Sequence, residues 1–295
     1  MNRLEIISVL TRLKTSIDHL ELEETSRRQL IDEWLNLMIN PNECNDIQTL
    51  GISITPDKKS VSLFVDTTVP TALLTKQISI MERCEYSERE AGLLKDIANA
   101  IPNTVFSTRL STTPTTQLTG WNICGKIPLN ILQHTCKKNH DLNMFYDWAK
   151  SHDIAFTSRF SRTIGHSFYY SEIRVQLAGY SNKEKIQTGL TFFDLFGISV
   201  PPDAALAALL HTENKSSIGM DIKFSSAGVI NIGFVMNHPE VGSLIQLCQS
   251  VEISDFTDIA AIQGFLGAAQ PITAKTLQTE EGFNVAFEYR ASSAY

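Results

Sequence analysis

The stretch Ser167-Phe-Tyr-Tyr-Ser-Glu-Ile-Arg-Val-Gln-Leu-Ala-Gly-Tyr180, followed by Lys183–Phe196 and Gly197, decides the fold. Its first half alternates. Ile173, Val175 and Leu177 point one way, and Glu172, Arg174 and Gln176 point the other, which is the period of a strand. The next segment changes to helical spacing at Ile186, Leu190 and Phe193 and stops at Gly197, a C-cap residue. A hairpin, Ile218–Phe224 and Val229–Met236, then turns at Ser225-Ser226-Ala227-Gly228. Helical patterns over Glu240–Cys248 and Asp255–Ala268 lead to a last hairpin, Ile272–Thr279 and Phe283–Arg290. Repetition of such helix–strand–strand–helix units closes an antiparallel sheet into a barrel with the helices outside.

The N-terminal half repeats the same grammar. Residues 3–38 read as one or two amphipathic helices, with Leu4, Ile7, Leu10 and Leu13, then Leu30, Trp34 and Met38, on apolar stripes. Asn40-Pro41-Asn42 stops them, and residues 1–45 are expected to pack on the outside of the sheet. A hairpin follows, Ile52–Ile54 and Val61–Val65. Val61, Leu63 and Val65 share one face, and Ser62, Phe64 and Asp66 share the other. Ser87-Glu88-Arg89-Glu90 has capping-box spacing ahead of a helix over 87–100. Strands are expected over Thr104–Leu110 and Gln117–Ile127, a helix over Asp141–Lys150, and a loop or irregular strand over 154–166.

The last strand shows how the faces are used. Phe283, Val285, Phe287 and Tyr289 form an apolar face; Asn284, Ala286, Glu288 and Arg290 form a polar one. With helices available after every hairpin, the apolar faces belong outward beneath them and the polar faces line an enclosed lumen. The competing arrangement is a flat α+β sheet whose polar face meets solvent.

Composition bounds the function. A chain of 295 residues with 43% hydrophobic and 19% charged residues can build one large closed sheet. The formal charge is −7 and no basic stripe is present, so no nucleic-acid partner is expected. No stretch reaches roughly 18 apolar residues, so no membrane span is expected. The 5 cysteines are scattered without a C-x-x-C pair, and the start is charged, which together point to the cytoplasm. His134, Cys136 and His140 form an H-x-C-x₃-H pattern without a convincing fourth ligand, and we read it as chance spacing. Gly228-x₄-Gly233 lacks the strand–loop–helix context of a phosphate loop.

Three segments resemble the soluble ABBA-type aromatic prenyltransferases: Ser62–Pro102 with its Val69-Pro70-Thr71, Ser167–Leu177 with the helix ending at Phe196-Gly197-Ile198-Ser199-Val200-Pro201, and Ser217–Pro239. The resemblance is one of periodicity and punctuation, running from about residue 50 onward. It implies a single domain over 1–295: an α+β, ten-stranded antiparallel barrel of αββα repeats. It also implies transfer of a prenyl group from a prenyl diphosphate to an aromatic acceptor. Diphosphate departs only if its developing charge meets preorganised cations in a water-poor site.

The chain departs from the family where it matters most. Positions at which the family carries diphosphate-binding cations read Asn122, Glu172, Ile232 (or Asn231 if the turn shifts) and Asn284; the position of a magnesium-binding Asp in some members reads Phe64. Cations stand elsewhere on inward faces, so a relocated diphosphate site of Arg109, Lys126, Arg174 and Arg290 is expected. The competing expectation is that Arg174–Glu172 and Arg290–Glu288 are structural pairs. Lys223 and Lys275 stand on strands whose alternation is ambiguous. Phe64, Phe168 and Tyr170 are candidates to stack the acceptor, with Asn122, Asn284 and Gln176 as further contacts. Asp66 could hold Mg²⁺ or accept a proton; Glu172 could orient the acceptor or take the final proton. His166 is a further candidate base at the mouth.

Two other functions compete with prenyl transfer. One is cyclisation or rearrangement of a natural product, with Glu172 and Arg174 as an acid/base pair. The other is non-catalytic binding of a small molecule. A closed barrel has no free edge for strand pairing, so a monomer is expected.

Overall fold

A computed structural model describes residues 3–20, 22, 25–39, 47–55, 60–67, 87–101, 105–113, 117–135, 140–165, 169–212, 217–251, 273–279 and 282–292. The Val69-Pro70-Thr71 connector, Cys136, His166, Phe168 and the expected helix Asp255–Ala268 lie outside these residues.

Ten strands form a closed antiparallel barrel. They are β1 (Ile47–Ile54), β2 (Val61–Thr67), β3 (Val105–Thr112), β4 (Gln117–Pro128), β5 (Phe156–Ile164), β6 (Tyr169–Gln176), β7 (Ile218–Phe224), β8 (Val229–Asn237), β9 (Thr273–Thr279) and β10 (Gly282–Ser292). Each pairs with its neighbours in the chain, and β1 pairs with β10 to close the cylinder. Among the described residues eight helices surround it: α1 (Arg3–His19), α2 (Thr25–Met38), α3 (Ser87–Ala100), α4 (Leu129–Thr135), α5 (His140–Ser151), α6 (Asn182–Phe196), α7 (Asp203–His211) and α8 (Val241–Gln249). The open-sheet alternative is thereby removed.

The barrel's core lies outside its wall. Apolar side chains of the strands, such as Val61, Leu63, Val65, Ile173, Val175, Val285 and Phe287, are buried beneath the helices. Phe145 and Trp148 of α5 meet Phe192 of α6, and Phe145 reaches Phe224 of β7, with ring centroids 4.8 to 6.0 Å apart. The two N-terminal helices pack on β1 and β3, as expected of residues outside the sheet. Buried Arg27 of α2 clamps the end of β3, donating to the hydroxyl and carbonyl of Thr112 at 3.0 Å each. Helix α6 starts at a complete capping box of Ser181 and Glu184 and ends at Gly197 with φ 60° and ψ 25°.

The segment 154–166 departs from expectation. Most of it is a regular strand, β5, paired on both sides. Its alternation is disguised because both faces carry arginine. Arg159 points into the lumen, whereas Arg162 points outward and is buried against Glu90 of α3 and the face of Tyr169. Glu90, read as the capping-box carboxylate, gives its oxygens to that guanidinium. Helix α4 also went unforeseen; seven residues are too few to display a period.

Candidate active site

Side chains directly opposite in an antiparallel ladder share a face, so the registers identify the lumen lining. Asp66 faces Ser107, which faces Asn122, then Ser161, then Glu172, then Lys223. A second ring runs through Cys124, Arg159, Arg174 and Asp221. Glu288 and Arg290 on β10 and Lys275 on β9 complete the charged set. Six cations (Arg109, Arg159, Arg174, Lys223, Lys275, Arg290) thus face four carboxylates (Asp66, Glu172, Asp221, Glu288) among the described residues. The lumen carries an excess of positive charge inside a chain of formal charge −7.

The half of the lumen nearer the helical connections is sealed by ion pairs. Arg159 is the hub: it donates to Glu288 and Glu172, both at 3.1 Å, and to the Ser161 hydroxyl at 3.1 Å. Arg174 grips Asp221 bidentately at 2.6 and 2.7 Å. Arg290 donates to Asp66 at 2.5 Å and to Glu288 at 3.0 and 3.1 Å. Asp66 further accepts from the hydroxyls of Thr49 and Ser107. Burial alone would push the Glu288 and Glu172 carboxyls up. The charges of Arg290 and Arg159 on Glu288, and of Lys275, Arg159 and Arg109 on Glu172, overcome it and hold both well below the usual carboxylate range.

The half nearer the hairpin turns is different. A cavity of about 170 Å³ opens there, walled by Arg109, Lys223, Lys275, Glu172, Asn231 and Ser62 among others. Arg109 and Lys223 have no carboxylate within 4 Å among the described residues. Arg109 donates to the Ser62 hydroxyl at 3.1 Å, while its Nε is buried with no hydrogen-bond partner among the described residues. Lys223 lies over the Tyr170 ring at 4.4 Å. Lys275 stands 3.7 Å from Glu172 and 3.6 Å from Asp221, too far for hydrogen bonds. Burial lowers the Arg109 guanidinium from its ordinary value. Burial also pushes the Lys223 ammonium down to about 8, with Arg109 and Lys275 adding to the effect and Glu172 opposing it. Deeper in the lumen both side-chain polar atoms of fully buried Asn122 lack a partner among the described residues, a state that buried amides rarely occupy.

Of the four cations expected at a diphosphate, only Arg109 stands on the cavity wall without an acid partner. Lys126 is corrected outright. A bulge after Cys124 carries it out of the lumen, to exposed Phe156 4.2 Å away at the opposite end of the barrel. Gln176 keeps the inward register but is exposed at that same end. Arg174 and Arg290 face inward as expected, yet both are engaged by acids. The Arg290–Glu288 pair is present, whereas Arg174 takes Asp221 and leaves Glu172 to Arg159. Glu172 and Arg174 are therefore each tied to other partners and do not form an acid/base pair. Phe64 is buried with the Arg109 and Arg290 guanidiniums each 5.9 Å from its ring centre, filling the space that a Cβ on Gly51 would need at 2.7 Å. Asn284 caps its own neighbour, the Val285 amide, at 2.7 Å. Asn231, not outward Ile232, reaches the cavity. The Asp66 carboxylate is already taken up by the Arg290 guanidinium and two hydroxyl donors, and the guanidinium's charge disfavours Mg²⁺ there.

The lumen network makes acid the weak side of this fold. Both glutamates have folded values below the ordinary 4.5, so their stabilisation is complete above that value and is lost as pH falls beneath it. Denaturant midpoints measured from neutral pH down to about pH 3 should hold level and then drop steeply below about pH 4.5. A midpoint flat to pH 3 would contradict the arrangement.

No family model and no curated protein matches the chain. Among solved structures, the RsbU and RsbW domains of a Mycobacterium tuberculosis protein align at 7% identity over 83% of this chain and 95% of theirs, with a TM-score of 0.13. The dehydratase domain from the CurJ module of curacin polyketide synthase aligns at 11% identity over 82% and 95%, also with a TM-score of 0.13. Similarity at that level carries no argument. No described helix is long and apolar enough to cross a membrane.

Proposed function

We propose that the barrel is a reaction chamber for one small organic anion, held at Arg109 and Lys275, with Lys223 moving protons on it. The observation that carries this reading is the pair of uncommitted cations, Arg109 and Lys223, on the wall of a cavity whose floor is a closed set of ion pairs. A guanidinium with a buried, unpartnered Nε is ready to receive an anion, because desolvation has already been met by the fold. An amine that titrates near 8 can accept and return a proton close to neutral pH. Tyr170 supplies an aromatic wall beside it. The reaction class is rearrangement or cyclisation through acid–base steps, with Lys223 in the role first assigned to Glu172 and Arg174.

Prenyl transfer from a prenyl diphosphate to an aromatic acceptor is the second reading, supported by the barrel of αββα repeats and by the same three cations. Against it stands the cavity of about 170 Å³, below the roughly 300–1,000 Å³ of ordinary ligand pockets and small for a donor and an arene together. Calorimetric titration with inorganic diphosphate, dimethylallyl diphosphate and geranyl diphosphate separates the two. A chamber for one small anion should take inorganic diphosphate with no gain from the prenyl chain. A prenyl site should add about 0.8 kcal/mol per buried CH₂. Failure of all three to bind would remove both readings.

A further inference from the structure

We propose that Lys223 is a nucleophile and that it forms an imine with a small carbonyl compound bearing a carboxylate or phosphate. The inference rests on the anion chamber described above and names its substrate class. Lys223 is on β7, opposite Glu172 on β6 and Asn231 on β8, and its side chain lines the cavity. Its charge has no carboxylate partner within 4 Å among the described residues. Its ammonium lies over the Tyr170 ring, 4.4 Å from the ring centre. The charged groups facing it from the packed strands are Glu172, Arg109 and Lys275. Two of the three are cations, and crowding by cations in a dry site is a general way to make a lysine nucleophilic. With its ammonium brought down to about 8, the unprotonated fraction near neutral pH exceeds that of an exposed lysine by about two orders of magnitude.

The chemistry balances without a co-reactant. The Nζ lone pair attacks the carbonyl carbon, forming a C–N bond, and the oxygen takes a proton from nitrogen to give a carbinolamine. The C–O bond then breaks, the second nitrogen proton leaves with that oxygen, and water departs as the C=N bond forms. Arg109 holds the anionic end of the compound, which fixes the carbonyl over the amine. The small cavity suits a molecule of a few heavy atoms.

The test is reductive trapping on the full chain. The protein is incubated with glyoxylate and cyanoborohydride near neutral pH, and the modified lysines are mapped by peptide mass spectrometry. Lys223 should be labelled on the order of a hundredfold faster than exposed Lys150 or Lys183. Excess inorganic diphosphate should suppress labelling at Lys223 alone. The variant Lys223→Arg, which keeps the charge, should still bind diphosphate and give no fast adduct. Labelling of Lys223 no faster than Lys150, with diphosphate still bound, would overturn the imine proposal and leave the chamber intact. Loss of diphosphate binding as well would remove the chamber reading too.

Discussion

Arg159→Ala should be the most destabilising single substitution in the lumen, costing about 3–5 kcal/mol, or roughly 6–10 °C in melting temperature. The argument is one of stranded charge. Arg159 is almost wholly buried, and each of its two guanidinium ends holds a different buried carboxylate, Glu288 and Glu172. Burial alone would lower its pKa, but those two acids more than reverse the effect. Removing it leaves Glu172 to a lysine 3.7 Å away and Glu288 to Arg290 alone. Buried ion pairs are poor evidence for net stability, so the loss reflects abandoned partners rather than a strong bond. A double variant, Arg159→Met with Glu288→Gln, should therefore recover part of the loss. A single variant that melts with the parent would show that the pairs are not closed in solution.

Arg109→Met should do the reverse. Ligand affinity should fall about a hundredfold, since a buried charge that contacts an anion is worth about 2–5 kcal/mol when truncated. Stability should hold or rise. This guanidinium is desolvated and has no acid partner within 4 Å among the described residues, and the more distant attraction of Glu172 does not make up for its burial. Deleting it removes a cost to the folded state. Arg174→Met is the control with the opposite signature, because it leaves Asp221 buried without its bidentate partner and should lower the melting temperature. Lys126→Met, exposed at the far end, should change neither quantity. Equal effects on binding from Arg109→Met and Arg174→Met would mean that the lumen cations act only as a diffuse field.

Much of the fold was legible because alternation and helical spacing are local signals. The two faces of β10 could be read directly from Phe283 to Arg290, and the spacing of Ile186, Leu190 and Phe193 with Gly197 marked α6. β5 was illegible for a physical reason. Arg162 occupies an outward position normally given to an apolar side chain, and Glu90, seventy-two residues away, together with the Ser171 hydroxyl and the Tyr169 ring makes that tolerable. The hub of the lumen, Arg159, was missed with it. The site was partly legible: inward placement of Arg109, Arg174, Arg290, Asp66 and Glu172 followed from strand period. Their division into committed and uncommitted charges did not, because pairing such as Arg174–Asp221 depends on which strands become neighbours. Lys126 was misplaced because a bulge shifts the period by one residue, and Gly125 with φ 153° was its one sequence mark. Lys223 was left ambiguous, and the signal that finds it is its register opposite Glu172.

The central claim is that the charged lumen is divided, with one half sealed by ion pairs and the other open to an anion. A crystal structure of the protein with inorganic diphosphate tests it most directly. The account predicts the anion within hydrogen-bonding distance of Arg109, with Lys223 and Lys275 beside it and the Arg174–Asp221 and Arg290–Asp66 pairs unbroken. A diphosphate bound instead at Arg174 or Arg290, with those pairs opened, would contradict it.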